Sequence, residues 1–283
     1  MTSPDTSKLF PGRFFIDSVL DAADTKIAMS RNITIQYLQR AAMAGILIGM
    51  FYSAYYAVVG TFAGIPASDA VSFEGLGKFL GALVFGWALV FIYFTKSELL
   101  TSNMMLTSIA VYYKRVKVSR AATLLALCFV GNFLGGLLLA LLLKFSSMPS
   151  EAALEQMLHS VDTKLGYVTS ASGMGDLFVR AVLCNLMINV AMLLVYNGFI
   201  KDAITMALAM GMSVFIFAFT GLEHSVANTV LFTIVGLKHG IDVGLAAGNV
   251  AIALLGNFIG GGFLIGVYYA YVNDTRRIHP HDD

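Results

Sequence analysis

The sequence predicts an all-α membrane protein whose six transmembrane helices form two inverted repeats of three. Three observations predict this fold class: an apolar composition, six long apolar segments, and two motifs that each occur twice at one spacing. The chain has 283 residues, of which 58% are hydrophobic and only 12% charged, and its mean hydropathy is +0.77. Soluble domains carry about 25% charged residues, so water is not the main solvent of this chain.

The composition also excludes several classes of protein. The formal net charge is +1, which offers no cationic excess for binding nucleic acid. Cys128 and Cys184 both lie in apolar segments and fit small buried residues better than a disulfide or a zinc site. No charged or proline-rich linker divides the sequence, so we expect residues 1–283 to form a single transmembrane domain without a cofactor or a metal ion.

Each of the six apolar segments is long enough to cross a bilayer, which takes roughly 20 residues. They span about 41–63, 78–112, 121–144, 177–198, 203–236 and 243–272. The second and fifth segments are too long for one plain crossing, and both carry polar residues in the middle. We therefore expect helices two and five to be interrupted.

Basic residues between the segments predict the orientation. Those on one side of the membrane are Lys26, Arg31, Arg40, Lys114, Arg115, Lys117, Arg120, Lys201, Arg276 and Arg277. Loops with an excess of Lys and Arg stay in the cytoplasm. Both termini of this multi-pass protein are therefore predicted to lie on the cytoplasmic side of the cell (inner) membrane.

The N-terminal segment, residues 1–30, is predicted to be cytoplasmic and to contain an amphipathic helix. Phe15, Val19, Ala23 and Ile27 recur there at helical spacing. Such a helix can lie on the membrane surface, or it can be an ordinary helix packed on the loops. The sequence leaves both alternatives open.

Two motifs reveal an internal repeat. A Glu-x4-Asn motif occurs at 98–103 and again at 223–228, and Gly-Asn-Phe-x-Gly-Gly occurs at 131–136 and again at 256–261. Both pairs are offset by 125 residues. Two independent motifs that share one offset indicate a duplication.

The duplication determines the predicted topology. Repeat one spans about 35–145, and repeat two spans about 175–272. Each repeat contains three crossings, an odd number, so repeat two must enter the membrane from the opposite face. In such folds the site lies near the midplane, where paired helices are broken.

The paired interruptions are predicted at 96–103 and 221–228, where polar side chains cluster inside apolar segments. Non-helical backbone at this depth is tolerated only against protein or a water-filled cavity. We expect Glu98 and Glu223 mainly to accept hydrogen bonds from backbone N–H groups and so hold the breaks open. The asparagines that either bridge the breaks or line a pathway are Asn103, Asn132, Asn228 and Asn257.

His224 is the one histidine of the sequence that lies in a predicted break. A lone histidine in an apolar setting is usually a satisfied core residue. The offset of 125 pairs His224 with Leu99, however, so only one copy of the duplicated site carries an imidazole. This asymmetry indicates a functional role.

The segment 221–228, Gly-Leu-Glu-His-Ser-Val-Ala-Asn, resembles the signature of the formate/nitrite transporter family. Residues 98–102 resemble the first interrupted helix of that family, and 184–187 and 256–261 resemble its fourth and sixth helices. The similarity extends over roughly residues 20–275. It implies an aquaporin-like protomer, assembled as a homopentamer with a pore in each protomer.

The resemblance also implies a set of pathway residues. It sets His224 opposite Thr101 in a central chamber. The other positions that it implies are Asn185, Asn257 and Glu223 along the pathway, Phe85 and Phe217 at one hydrophobic constriction, and Leu89 and Leu100 at the other.

One position departs from the family pattern. The family carries a vestibule lysine sixteen residues before the asparagine of helix four, and this chain has Thr169 there. Lys164 lies five residues earlier and could replace that lysine only through a rearranged loop. Whether this chain keeps a vestibule cation is therefore open at this point.

These features predict passive or proton-coupled transport of a small monovalent anion. The family resemblance makes formate the first candidate, with nitrite or hydrosulfide next. A bare anion is expensive to move through an apolar constriction, so we expect it to be protonated or briefly hydrogen-bonded at His224 and Thr101. Protons and the lipid bilayer are the other expected partners.

Two other functions fit the sequence less well. A channel for water or small neutral solutes on this plan would carry Asn-Pro-Ala at each break, and neither break contains proline. An intramembrane metalloenzyme needs several clustered His or carboxylate ligands, and only His224, Glu223 and Glu98 are available. We therefore do not expect an enzyme.

Overall fold

A computed structural model describes residues 9–65 and 73–277. The helices are α1 (Arg13–Asn32), α2 (Thr34–Ala63), α3 (Glu74–Phe94), α4 (Leu100–Tyr112), α5 (Val118–Lys144), α6 (Glu151–Gly166), α7 (Ala171–Tyr196), α8 (Ala203–Phe219), α9 (Ser225–His239), α10 (Val243–Asn257) and α11 (Tyr268–Val272). A π-helical stretch, Phe258–Val267, joins α10 to α11. The first eight residues of the predicted N-terminal segment lie outside the described residues.

Apolar helices of membrane-spanning length confirm the predicted all-α membrane fold. Among the described residues, five helices are long and apolar enough to cross: α2, α3, α5, α7 and the continuous helix Val243–Val272. Helix α8 is apolar but has only 17 residues. Helices α8 and α9 together occupy the fifth predicted segment, as α3 and α4 occupy the second.

Both predicted interruptions are present, and both are shorter than predicted. Residues 95–99 separate α3 from α4, and residues 220–224 separate α8 from α9. The predicted ranges 96–103 and 221–228 were wrong at their ends, because the last four residues of each already form the first turn of a helix. Buried asparagine side chains cap the first N–H group of each of these helices and let the helix restart early.

Glycine motifs allow the crossing helices to pack closely. Helix α2 packs on α3 and α5, helix α7 packs on α8 and α10, and α3 meets α8 across the two repeats. A Cβ atom on Gly135 would overlap the carbonyl oxygen of Ala42, and one on Gly260 would overlap that of Val182. The repeated glycines therefore permit contact between backbones at equivalent places in the two repeats.

Helix α1 packs on the body of the protein through its apolar face. Phe15, Ile16, Val19 and Ala23 are each at most 2% exposed, and α1 lies against α2, α4, α5 and α7. Of the two alternatives for this helix, the structure therefore favours packing on protein over insertion of its apolar face into the membrane surface.

The C-terminal end of the described chain meets the start of α1. The Gly12 N–H donates a hydrogen bond to Asn273 Oδ1 at 2.9 Å. The aromatic rings of Phe15 and Tyr269 lie edge to face with centroids 5.8 Å apart. These contacts hold both ends on one side of the molecule.

Helix α6 is an element that the sequence analysis did not predict. Ser150 caps it by accepting a hydrogen bond from the Ala153 N–H. Ala153, Met157 and Val161 are buried on the face that meets α2 and α9. Helix α6 precedes the crossings of repeat two as α1 precedes those of repeat one, so each repeat carries one additional helix.

Candidate functional site

Asn132 joins the first break to the surrounding helices. Its Oδ1 accepts a hydrogen bond from the Leu100 N–H at 3.1 Å. Its Nδ2 donates to the carbonyl oxygens of Ala41 and Glu98, both at 2.8 Å. One side chain therefore satisfies the first N–H of α4, which a helix end leaves without a partner, and ties it to a carbonyl of the break and to the interior of α2.

Asn257 does the same at the second break. Its Oδ1 accepts from the Ser225 N–H at 2.9 Å, and its Nδ2 donates to the carbonyl oxygens of Ala181 at 2.8 Å and Glu223 at 3.0 Å. Asn132 and Asn257 are both 0% exposed. Of the two alternatives left by the sequence, these asparagines therefore bridge the breaks.

Each break also holds a buried glutamate that pairs with a lysine. Glu98 Oε2 accepts a hydrogen bond from Asn103 Nδ2 at 3.0 Å and forms an ion pair with Lys26 of α1. The expected backbone donors are not its partners in the described part of the chain. That prediction was wrong because the neighbouring helix supplies a cation, which a sequence pattern does not reveal.

The second break repeats this arrangement. Glu223 Oε2 accepts from Asn228 Nδ2 at 2.6 Å, and its two carboxylate oxygens lie 2.7 and 2.8 Å from Lys164 Nζ. Glu223 is 3% exposed and Lys164 is 7% exposed. Here too the partners of the carboxylate are side chains, and the lysine comes from the additional helix, α6.

Lys164 reaches the site from a helix, so no rearranged loop is required. It shares the buried face of α6 with Met157 and Val161, which points it inward. Burial lowers the pKa of Lys164, but the Glu223 carboxylate, together with Tyr56 and Tyr167, more than offsets burial, so the pKa is raised. Thr169, where the family pattern has lysine, is exposed and bonds only within its own turn, at 2.8 Å.

His224 is fixed by hydrogen bonds at both ring nitrogens. Its Nδ1 accepts from the Ala227 N–H at 3.0 Å and so caps α9, while its Nε2 lies 3.0 Å from Thr101 Oγ1. A backbone N–H can only donate, so Nδ1 must be the acceptor and the neutral imidazole carries its proton on Nε2. His224 therefore donates to the Thr101 hydroxyl.

Asn185 and Asn189 hold Thr101 in position. Asn185 Nδ2 donates to the carbonyl oxygens of Thr101 at 3.2 Å and Asn257 at 2.7 Å, and Asn189 Nδ2 also donates to the Thr101 carbonyl at 3.2 Å. Both asparagines are 0% exposed. Sequence reasoning missed Asn189, although it lies one turn after Asn185 on the same face of α7.

Three cavities adjoin the breaks. The α6 vestibule, bordered by Tyr56, Lys164 and Arg180, has a volume of about 310 Å³. The α1 vestibule, bordered by Lys26 and Lys96, has a volume of about 430 Å³. The central cavity is only about 20 Å³, which is room for about one water molecule.

Shared wall residues mark a constriction on each side of the central cavity. Phe85, Phe217 and His224 line both this cavity and the α6 vestibule. The Phe85 and Phe217 rings lie 5.9 Å apart, edge to face, and the Phe217 ring stacks on the His224 ring at 6.0 Å. On the other side, Leu89 and Leu99 line both the central cavity and the α1 vestibule.

Four residues that were predicted to line the pathway, Leu100, Thr101, Asn185 and Asn257, line none of the three cavities and lie behind their walls. Leu100 is 2% exposed and lines none of the three cavities, whereas its neighbour Leu99 lines two of them. Leu100 opens α4 and is held at its N–H by Asn132. Thr101 is 0% exposed and adjoins the central cavity only through His224.

The central cavity lies where the two repeats meet. Most of its wall consists of pairs of residues that occupy equivalent positions in the two repeats. One pair, Ile48 with Ile188, has an offset of 140 residues, and three pairs have an offset of 125: Leu89 with Val214, Ile92 with Phe217, and Leu99 with His224. Among the described residues, His224 is the one polar residue in this wall. The central cavity is therefore an apolar space with a single polar contact.

The two vestibules differ in how their cations are compensated. In the α6 vestibule Lys164 pairs with Glu223, and Arg180 pairs with Asp176 at 2.9 Å. In the α1 vestibule Lys26 pairs with Glu98, whereas Arg40 and Lys96 have no acidic partner among the described residues. Lys96 Nζ instead lies 4.9 Å from the ring centroid of Tyr93.

The sequence is similar to those of known proteins over most of its length. The sequence model of the family described as formate/nitrite transporter matches residues 14–271. Formate-nitrite transporter 3 of Toxoplasma gondii is 30% identical over 82% of this chain, which spans only 46% of that relative's length. The formate channel FocA of Haemophilus influenzae is 28% identical over 82% of the chain and 85% of its own length.

The fold has a counterpart among solved structures. A pentameric formate channel with formate bound aligns with a TM-score of 0.66 and covers 86% of this chain and 98% of its own. The two sequences are only 19% identical, so this likeness concerns the fold.

Proposed function

The chain belongs to the formate/nitrite transporter family, and from this membership we propose that it carries small monovalent anions through the three cavities. Formate is the proposed first substrate, with nitrite or hydrosulfide next. Proteins of this family transport ions and are not enzymes, and this chain is a multi-pass membrane protein.

The central cavity is the observation that carries the proposal. At about 20 Å³ it is too small for an anion with a hydration shell. Its walls are apolar except for His224, so an unpaired charge inside it would cost several kcal/mol. A small species that sheds its hydration shell and its charge, or that shares one hydrogen bond, is better suited to this narrow space than a hydrated ion.

His224 acts in this proposal as a hydrogen-bond donor. Nδ1 is occupied by the Ala227 N–H, and the Nε2 proton is directed to Thr101 Oγ1. An anion in the central cavity accepts this proton in place of Thr101 Oγ1, and the Thr101 hydroxyl then donates a second hydrogen bond to the same anion. A weak-acid anion can also take a proton from hydronium in a vestibule and leave water behind, since loss of solvent raises the proton affinity of the anion, which makes the transport proton-coupled.

Lys164 makes the α6 vestibule suitable for an anion. The Glu223 carboxylate beside it is neutralised by that ion pair, so the vestibule presents no net negative charge at its inner end. We assign to Lys164 the role that the family pattern gives to a lysine five residues later. Thr169 has no part in this proposal.

Orientation and assembly complete the proposal. The basic loops and tail support cytoplasmic termini in the inner membrane, so the α1 vestibule opens to the cytoplasm and the α6 vestibule to the outside. The homopentamer follows the pentameric formate channel that shares the fold. Each protomer then contains a complete pathway of its own.

Flux into liposomes tests the proposal. Purified protein is reconstituted, and uptake of labelled formate is measured with and without a pH gradient. We expect uptake above that of empty liposomes, an increase as the donor side is acidified, and competition by nitrite and hydrosulfide. Rapid osmotic water flow without formate uptake would instead favour a channel for water or neutral solutes.

A matched pair of variants tests the role of the central hydrogen bond. Thr101→Val keeps the shape of the side chain but removes the hydroxyl, and we expect formate flux to fall about tenfold, the value of roughly one hydrogen bond. Val226→Thr changes the equivalent position of repeat two and should leave flux close to that of the unaltered protein. Equal flux in Thr101→Val and the parent would contradict this role.

A further inference from the structure

We propose that the groove between α5, α9 and α10 binds one anionic phospholipid from the membrane leaflet on the α6 side. This repeat-two groove is lined by Phe129 and Phe133 and by parts of the ranges 229–241 and 243–254. It holds an acyl chain, and cations at its outer end bind the phosphate. The inference goes beyond the proposed function and does not depend on which anion is carried.

The groove suits hydrocarbon better than water or a polar ligand. Helix α9 packs on both α5 and α10 and forms the floor. The volume is about 730 Å³, whereas an apolar cavity of roughly 150 Å³ already accepts benzene. Of the described residues that line it, Thr229 and Thr233 carry hydroxyls, and these donate to carbonyl oxygens of α9 at 2.8 and 2.7 Å. Neither hydroxyl is therefore left to donate to a ligand.

The length of the groove matches one leaflet. Its α10 wall extends from Val243 to Leu254, eleven residues along one helix, which is about 16 Å at 1.5 Å per residue. Half of the hydrocarbon core of a bilayer is about 15 Å thick. A Cβ atom on Gly240, at the outer end, would meet no atom within 4 Å, so this end of the groove is open.

Repeat one has an equivalent groove that is smaller. The offset of 125 relates its lining residues Val111 and Tyr112 to Gly236 and Leu237 of the repeat-two groove. Its volume is about 390 Å³. The smaller side chains of repeat two therefore open the space that an acyl chain occupies.

Two lysines lie at the outer end of the repeat-two groove. Lys144, the last residue of α5, is on the same helix face as Phe133, because eleven residues make close to three helical turns. Lys238 follows Leu237 in the last turn of α9. Its Nζ lies 3.4 Å from the carbonyl oxygen of Ser146, just after α5, so both lysines lie at the same end.

The charge at this end is complementary to a phosphate. Neither Lys144 nor Lys238 has an acidic partner within the described ranges. Asp242 is the one acid nearby in the sequence, and it caps α10 by accepting a hydrogen bond from the Leu245 N–H at 2.9 Å. The two lysines outnumber it, and basic residues at the headgroup level attract anionic lipids.

A second copy of the chain fits this face less well than a lipid. An apolar protomer surface laid over the groove would remove Lys144 and Lys238 from water, which is costly for an unpaired charge. A phospholipid instead leaves both lysines at the membrane surface, where long basic side chains extend toward water.

Quenching of tryptophan fluorescence by brominated lipids tests the site. The chain has one tryptophan, Trp87, which is 45% exposed on α3 and does not line the groove, so it reports on ordinary boundary lipid. The double change Trp87→Phe with Phe133→Trp moves the single tryptophan into the groove. Both proteins are reconstituted in phosphatidylcholine vesicles that contain increasing fractions of phosphatidylglycerol with brominated acyl chains.

The expected result is a lipid preference confined to the groove. We expect phosphatidylglycerol to be preferred over phosphatidylcholine about fivefold at the tryptophan of Phe133→Trp, the ratio that corresponds to about 1 kcal/mol for one net cation, and to show almost no preference at Trp87. Adding Lys144→Gln and Lys238→Gln to Phe133→Trp should remove the preference. An equal preference at the two tryptophans, or one that survives the loss of both lysines, would overturn the proposal.

A second variant tests the place of the acyl chain. Gly236→Val gives repeat two the residue that repeat one has at this position, Val111, and fills the groove, so quenching in the Phe133→Trp protein should decrease. Gly175→Val is the matched control, because a Cβ atom there meets no atom within 4 Å and the residue lies on α7, outside the groove.

Size-exclusion profiles confirm that each variant is folded. Equal quenching in Gly236→Val and Gly175→Val would overturn the proposal. Absence of quenching in Phe133→Trp, while Trp87 of the parent is quenched, would show that protein rather than lipid covers the groove and would overturn it as well. Formate flux has no part in these measurements, so its absence would reject only the proposed function.

Discussion

The two repeats build their breaks from the same parts but face the central cavity with different residues. Each has an asparagine that forms hydrogen bonds with three backbone groups and a glutamate paired with a lysine from an additional helix. At equivalent positions repeat one has Leu99 and Thr101, whereas repeat two has His224 and Val226. The polar pair formed by His224 in the cavity wall and Thr101 behind it therefore takes one residue from each repeat, which shows that the framework is symmetric and the chemistry is not.

A second difference concerns the ion pairs. The Lys26 and Glu98 side chains are 18% and 6% exposed, whereas those of Lys164 and Glu223 are 9% and 4% exposed. The pair on the α1 side is therefore closer to solvent. The two ion pairs should therefore contribute differently to the stability of the two repeats.

The largest expected effect tests the symmetry of the framework. Asn132→Leu and Asn257→Leu each leave two buried backbone groups of a break without their asparagine partner, the first N–H of the restarted helix and the carbonyl of the break glutamate, and at about 1–3 kcal/mol for each group we expect a loss of about 2–6 kcal/mol in either repeat. Thermal unfolding in detergent, monitored by size-exclusion chromatography, measures the loss of stability in the two variants under the same conditions. A large effect in one and none in the other would show that the two breaks are not held in the same way.

The next effect tests the ion pairs. Lys164→Met leaves the Glu223 charge buried and unpaired, which costs about 3–5 kcal/mol, while the double change Lys164→Met with Glu223→Gln should recover most of that loss. Lys26→Met should cost less because its pair is more exposed. A larger loss in Lys26→Met than in Lys164→Met would reverse the comparison.

The pH dependence of the ion pair has a defined sign. Because the pKa of Lys164 is raised in the folded protein, its contribution to stability is complete below the ordinary lysine pKa of about 10.4 and is lost as the pH rises through the folded value. The melting temperatures of the parent protein and Lys164→Met should therefore differ fully at neutral pH and converge only in alkali. Convergence on acidification from pH 8 to 6 would contradict this account.

An intermediate effect concerns the constriction that repeat two contributes. Phe217→Ile gives repeat two the residue that repeat one has at the equivalent position, Ile92. We expect the flux of a larger anion such as lactate to rise about tenfold relative to formate, the discrimination that an apolar pocket gains from a few carbon atoms. Ile92→Val is the matched control and should change this ratio little. An unchanged ratio in Phe217→Ile would remove Phe217 from the constriction.

The smallest effect separates the two roles of His224. His224→Ala removes the cap of α9 and should cost about 1 kcal/mol of stability, whereas His224→Asn retains an N-cap oxygen and should cost only a fraction of that. Neither variant keeps the Nε2 donor, so both should reduce formate flux. Equal stability of the two variants would show that the Ala227 N–H does not depend on this cap.

The sequence could predict the breaks and the residues that hold them because both depend on polar groups inside apolar segments. Glu98, Glu223 and His224 are conspicuous there, and the constant offset connects the two copies. The ends of the breaks were less predictable. Leu100 looked like part of a loop because only the folded protein brings Asn132 to its N–H.

The remaining features depend on how helices rotate and pack. Helix α6 was missed because it is not a membrane crossing, although Ser150 and the spacing of Ala153, Met157 and Val161 are ordinary signs of a capped amphipathic helix. The contact of Lys164 with its carboxylate follows from the rotation of that helix about its axis. Packing and rotation of the helices also explain why Leu99, rather than Leu100, faces the central cavity.

The π-helical stretch Phe258–Val267 has no counterpart in repeat one, where the equivalent residues continue the regular helix α5. Wide turns of this kind absorb an extra residue inside a helix whose two ends are already anchored, here by Asn257 at the break and by Asn273 at Gly12. Each residue of an α-helix turns the chain by about 100°, so deleting one residue would swing Tyr269 and Asn273 away from α1. This stretch thereby sets which face of the last helix is turned toward α1, without changing the position of the second break.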